Sequence, residues 1–189
     1  TLHLAHRMAA EIKDGVKTFH AKSQKQWRTW LDKNHQKEKS VWLIIYKKDS
    51  GVPSVYYPEA VEEALCYGWI DSKPNKRDEK SYYQFFAKRN PKSNWSKLNK
   101  QRVKKLLADE KMMPAGMAMV ALAKKTGTWT ALDKVDIVPD DLQALLTRNK
   151  TALDYWQKFP PSTKRGIIEW INSARTTETR NKRIEETAT

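Results

Sequence analysis

The chain has 189 residues, with 36 Lys and Arg against 22 Asp and Glu, a formal net charge of +14 at pH 7 and one cysteine. That length supports one domain with room for a small second subdomain, and it buries about 70% of the unfolded surface, so no disulfide or metal is needed for a core. Cys66 alone excludes an internal disulfide and fits a reducing, cytoplasmic setting, while no apolar run nears the roughly 20 residues of a membrane-spanning helix.

The chain opens on Thr1 and not on Met, so either an initiator has been removed or an upstream segment precedes it, and its first residues carry no signal-peptide core. The charge divides as +6 over residues 1–57, +4 over 58–110 and +4 over 111–189. No basic tail explains it; the whole surface attracts polyanions and anionic interfaces.

Residues 1–20 have weak periodicity and read as an N-terminal arm or short helix. Ser23 with Gln26 forms a capping box, and Trp27, Trp30 and Leu31 recur at helical spacing, which predicts a helix over about 23–36. Val41 to Tyr46 is apolar on both alternating faces, the pattern of a central strand. Asp49-Ser50-Gly51 is a turn, and Ser54 to Tyr57 reads as a short strand. Pro58 suits the first turn of a helix reaching Cys66, with Gly68 as its cap.

Trp69 to Asp71 and Tyr82 to Phe86 read as two strands joined by a polar loop, giving a small antiparallel sheet. Ser93 or Asn94 caps a helix whose Trp95, Leu98, Val103, Leu106 and Leu107 form a buried face. A further helix runs from Pro114 to Gly127 and buries Met117, Val120 and Ala121. Beyond it, Pro139-Asp140-Asp141 opens one helix, Ala152, Leu153 and Trp156 lie on a second, and Ser162 caps a third carrying Ile167, Ile168 and Ile171. Thr177 to Thr189 reads as a polar tail. The expected fold is α+β: an arm (1–20), a body of small antiparallel sheet and flanking helices (21–110), and a helical C-terminal section packed on the same core (111–189).

His3, His6, His20 and His35 have no zinc-site spacing, and the six glycines are scattered, so neither a metal site nor a glycine-rich phosphate loop is expected. No cofactor and no catalytic residue is assigned. Cys66 with His35 could form a nucleophile pair, but a cysteine ending an amphipathic helix reads first as a small buried residue. Gly68-Trp69-Ile70-Asp71 could line a pocket or simply be core and turn. Lys80 to Lys105 holds nine basic and no acidic residues, interleaved with Tyr82, Tyr83, Phe85, Phe86 and Trp95. Charge and rings together suit nucleic acid, provided the rings are not buried.

Trp27-x-x-Trp30-Leu31 with Asn34-His35, Val41-Trp42-Leu43, and Tyr57-x-Glu59 through Leu65-Cys66-Tyr67-Gly68-Trp69-Ile70-Asp71 resemble the YdeI/OmpD-associated family, also described as bacteriocin-protection proteins. Pro91-Lys92-Ser93-Asn94-Trp95-Ser96-x-x-Asn99, Met113-x-x-Gly116, Gly127-x-Trp129 and Thr179-Arg180-x-x-Arg183-Ile184 extend the resemblance over about 25–185. Ala87-Lys88-Arg89 stands where the family tends to have Thr-Pro-Arg.

The resemblance implies a bacterial protein of protection against bacteriocins or cationic antimicrobial peptides, without an assigned biochemical activity. It marks Trp69, Asp71, Arg89, Trp95 and Asn99 as residues that converge. They form either a ligand site, with Arg89 as a bidentate fork between two indole walls, or an internal polar tie between sheet and helix.

The leading expectation is a stress- or antimicrobial-peptide-protection protein acting as a binding domain for a small polar or anionic ligand or a protein partner. The alternatives are a nucleic-acid or anionic-surface binder and an enzyme of unrecognised type. No membrane insertion is expected.

Overall fold

The structure, a computed structural model, describes residues 10–133 and 135–189. His3, His6 and the start of the expected arm lie outside the described residues. The chain divides into two compact units, one running to Trp129 and one from Thr130 to Thr189.

The first unit holds strands β1 (Ile12–Lys13), β2 (Val16–His20), β3 (Ser40–Tyr46), β4 (Trp69–Lys76) and β5 (Ser81–Lys88), with helices α1 (Gln24–Asn34), α2 (Tyr57–Cys66), α3 (Lys97–Ala108) and α4 (Pro114–Thr126). The strands form one sheet in the order β1-β2-β3-β5-β4. The α+β class expected from the sequence is therefore present. The sheet, however, is mixed, because β2 and β3 run parallel with Thr18 opposite Trp42 while the other pairings are antiparallel. Residues 12–20, read as arm or helix, supply its β1–β2 edge.

Position in the sheet explains the composition of β3, which is central and buried from Val41 to Ile45. Val41, Leu43 and Ile45 enter a core with Trp27, Leu31 and Phe86. On the opposite face Trp42 meets Phe85 and Tyr83 edge-on, with the Lys13 and Lys73 ammonium groups over its ring. A strand covered on both sides needs no polar face.

The Ser23 cap forms as its spacing predicts: the Oγ accepts from the Gln26 N–H at 3.1 Å, while Gln26 Oε1 reaches back to the Lys22 N–H. Trp27 is fully buried and its indole N–H donates to the Ala60 carbonyl at 3.0 Å, which satisfies the one polar atom that burial would strand. Arg28 and Gln24 both donate to the buried carboxylate of Glu63, at 2.7 and 2.8 Å, tying α1 to α2. Ser54 to Tyr56 is extended but pairs with no strand, because the Val55 N–H already donates to the Ala21 carbonyl.

Two helix faces differ from the expected ones. On α4, Gly116, Val120 and Ala123 are buried while Met117 and Ala121 are exposed, and on α3, Leu98 and Leu107 are exposed. The cause is close contact at Gly116, which turns the small residues of α4 toward α2. The cap of α3 is Ser96, whose Oγ accepts from Asn99 N–H.

The second unit contains α5 (Asp140–Arg148), α6 (Lys150–Lys158), α7 (Pro161–Asn172) and α8 (Thr177–Ala188). Leu142, Leu146, Trp156, Ile168, Ile171 and Ile184 build its separate core. The expected polar tail is thus a helix, capped by Thr176 and anchored by Ile184 and Ala188. The third helix starts at Pro161, one residue before Ser162, so Ser162 lies inside it. Asn149 serves three helices. It ends α5, its Oδ1 caps α6 at Ala152 N–H (3.2 Å), and its Nδ2 donates to Ala188 O at the end of α8 (2.9 Å).

Two stability changes are expected. A methyl group at Gly116 would stand 2.6 Å from the Leu65 carbonyl oxygen and closer still to that of Cys66, both backbone atoms. Gly116→Ala should therefore cost about 2–3 kcal/mol through forced separation of α4 from α2. Differential scanning calorimetry should show a lower transition for the first unit. Asn149→Ala should destabilise the second unit by about 1–2 kcal/mol through loss of the cap and the α8 tie, read as a lower melting midpoint of residues 130–189 by far-ultraviolet circular dichroism.

Candidate functional site

Gly68 links α2 to β4 with a φ of +74°. A side chain there would also collide with Met119 and the Ala115 carbonyl. Glycine alone meets both requirements. The tight turn places Trp69 at the head of β4, and pairing of Trp69 with Lys88 brings the end of β5 alongside. Arg89 N–H donates to the Gly68 carbonyl at 3.0 Å. The C-terminal end of α1 and the face of α4 complete a cleft of about 450 Å³.

Trp69 and Arg89 line this cleft with His35, Lys88, Tyr67 and Met119. The Trp69 indole N–H donates to the His35 carbonyl at 3.3 Å, and its ring meets Trp30 edge-on. The ring nitrogen Nδ1 of His35 lies 2.8 Å from the Leu31 carbonyl, which can only accept, so Nδ1 carries the proton. In the neutral ring this leaves Nε2 as the acceptor. The Tyr67 hydroxyl donates to Asp32 at 3.2 Å. Burial pushes the Tyr67 phenol up to about 12 and the neighbouring Asp32 carboxylate adds to the rise against the opposing Arg28, so it is a neutral donor at physiological pH.

Arg89 is the electrostatic centre of the cleft. Only 6% of its surface is exposed, its guanidinium carbon lies 3.8 Å from the Trp95 ring centroid, and Nη2 donates to the Asn94 carbonyl at 2.8 Å. Trp95 is backed in turn by Trp129, with centroids 5.0 Å apart. The Arg89 Nε is buried without a hydrogen-bond partner. Burial lowers the Arg89 pKa, and among the described residues no carboxylate offsets that. The contrast with Arg28, which Glu63 neutralises, is chemical: one cation has a carboxylate beside it and the other has none among the described residues.

The five residues marked by the sequence fall into two places. Trp69 and Arg89 face the cleft, and Trp95 supports Arg89 from beneath. Asp71 instead accepts from the Tyr57 hydroxyl at 2.7 Å, and Asn99 accepts from Arg102 at 2.9 Å in the first turn of α3; neither lines the cleft. His35, Lys88 and Met119 were not singled out for the site. Asn34-His35 was legible as a motif, but only the tertiary arrangement brings it to Arg89. The Lys88 N–H donates to the Lys39 carbonyl at 3.2 Å.

Elsewhere in the acid-free stretch, Phe86 and Trp95 are buried, and Tyr83 and Phe85 are engaged with Trp42. These rings are committed to packing and are not a free stacking platform. Among the described residues no group of His, Cys, Asp and Glu could hold a metal ion, and no helix is long and apolar enough to cross a membrane.

The molecule thus combines an α+β unit bearing a cationic, aromatic-walled cleft with a separate unit of four helices. The chain belongs to the family described as a domain of unknown function (DUF8412), whose model matches residues 19–119. Residues 137–189 match the family described as bacteriocin-protection, YdeI or OmpD-associated, which supports the resemblance read from the sequence. The cleft therefore lies within the first match, and α5 to α8 within the second. No curated protein and no solved structure matches the chain.

Cys66 does not provide a nucleophile for the cleft. It is fully buried, and burial pushes its thiol up despite the nearby Arg28 guanidinium. A thiol reagent such as 5,5′-dithiobis(2-nitrobenzoate) should leave the native protein unlabelled at pH 8 and react with one thiol per chain after denaturation. Rapid labelling of the native state would refute this assignment.

Proposed function

We propose that the protein is a binding protein for a small organic anion, held in the cleft around Arg89, and that this binding serves the bacteriocin-protection role associated with its C-terminal unit. The observation that carries the reading is Arg89 itself, a guanidinium buried beside a cavity with an unpartnered Nε and no carboxylate partner among the described residues. Burying a cation without an anion is costly, and a ligand carboxylate or phosphate offsets that cost with charge-assisted hydrogen bonds.

Lys88 adds positive charge at the same opening, and Trp69, Tyr67 and Met119 provide apolar walls. A volume near 450 Å³ is in the range of small-molecule sites. A flat carboxylate with an apolar body matches that combination. Direct capture of cationic peptides is disfavoured by the charge of +14, which repels them at long range. The lone buried thiol supports placing this activity in a reducing compartment such as the cytoplasm.

The test uses the intact chain and three probes: benzoate, its neutral isostere benzamide, and inorganic phosphate. Titration followed by ¹⁵N NMR should shift the Trp69 indole and Arg89 Nε–H signals with benzoate or phosphate and leave them unmoved with benzamide. Arg89→Gln should weaken binding at least about tenfold, since hydrogen bonds to charged groups contribute about 1.5–3 kcal/mol. Lys88→Gln, at an exposed position, should weaken it less without loss of folding. Equal response to benzamide, or no response to either anion, would overturn the proposal.

A further inference from the structure

The apolar residues that α3 and α4 leave exposed lie together. Leu107 and Met117, 44% and 49% exposed, meet across the two helices with Val120 beneath them. They form the floor of a groove whose two halves, of about 400 and 210 Å³, share Leu107, Val120 and Lys124 and so are continuous. The wider half ends at Trp129.

The rim has one sign of charge. Lys97, Lys100 and Lys104 project from α3 at helical spacing, and Lys124 faces them from α4. Among the described residues no acidic residue lines either half. The Lys100 and Lys124 ammonium groups lie 5.8 and 5.3 Å from the Trp129 ring centroid, so they are held over the groove and not splayed into solvent.

We propose that this groove docks an acidic amphipathic helix from a partner protein. The groove's lining on α3 runs from Lys97 to Leu107, about 15 Å at the helical rise, enough for a two- to three-turn helix inserting residues at i, i+3/i+4 and i+7. Flanking Glu or Asp residues on that helix pair with Lys97, Lys104 and Lys124. The exposed Met117 side chain adjusts to different apolar anchors. Single-stranded nucleic acid fits less well, because the floor is aliphatic and the one ring at its end is already covered by two lysines, leaving bases nothing to stack upon. A bilayer surface cannot follow a concave groove.

The experiment measures fluorescence polarisation of labelled peptides with the intact chain. One peptide carries Leu at i, i+3, i+4 and i+7 with Glu on the flanks; a second has Lys in place of Glu; a third has the acidic composition in scrambled order. Only the first should bind, and it should gain helicity on binding. Lys104→Glu and Leu107→Ser, both on exposed side chains, should each weaken binding at least about tenfold without lowering the melting temperature, in line with loss of charge complementarity and of a central apolar contact.

The proposal fails if the scrambled or Lys-flanked peptide binds equally well, if no peptide binds, or if oligo(dT) or anionic phospholipid vesicles compete more strongly than the peptide. It also fails if sedimentation shows a dimer that Leu107→Ser dissolves, since a second copy would then be the occupant. Saturating benzoate should leave peptide binding unchanged, which separates this groove from the anion cleft.

Discussion

The end of α2 has no room for a side chain on the helix that crosses it. Gly116 brings the backbone of α4 onto the Leu65 and Cys66 carbonyls, and the Met113 N–H donates to the Cys66 carbonyl at 3.0 Å. Two residues further on, Gly68 meets α4 again while it reverses the chain into β4. This contact fixes the turn, the turn fixes Trp69, and the Gly68 carbonyl fixes Arg89. The cleft is a product of close backbone packing before it is a product of its charged residues. A larger core residue elsewhere can relax against flexible neighbours; here the opposing atoms are helix backbone, which yields only as a body.

The parts of this arrangement that were legible in the sequence are those with local causes. Ser23 and Gln26 cap α1 because three-residue spacing is enough to make the bonds, and Val41 to Ile45 announces a central strand because no polar residue interrupts it. The helical phase of α4 was misread for the opposite reason. Met117 and Ala121 are apolar and fit a buried stripe, yet contact distance, invisible in a count of apolar residues, favours the face bearing Gly116 and Ala123. In α8 two small anchors, Ile184 and Ala188, are enough to dock a helix whose composition is otherwise that of a tail. The edge strand β1 and its neighbour β2 are short and half-exposed, so their alternation is weak.

The motif resemblance marks Arg89, Trp69 and Trp95 together with Asp71 and Asn99, and the structure brings only the first three to one cleft and its support. All five stand near strand ends or a helix start, and only tertiary geometry assigns Asp71 to Tyr57 and Asn99 to Arg102. That separation changes the chemistry. If Asp71 had paired with Arg89, the cluster would have been a closed internal ion pair with little call for a ligand. With Asp71 hydrogen-bonded elsewhere, Arg89 retains its charge, its buried position and an unpartnered Nε.

Electrostatics then divides the surface by role. A net charge spread along the whole chain raises the local concentration of anions of every kind but distinguishes few of them. Discrimination requires burial, where a missing partner is costly. In the two proposed readings, burial of the Arg89 guanidinium would supply it for a small anion, and the apolar floor between the lysines of the α3–α4 groove would supply it for a larger one. Each combines the long-range attraction with a contact that bulk polyanions cannot reproduce. On these proposals a strongly basic protein would gain its selectivity from burial and apolar contact, with no acidic residue among the described residues lining either site.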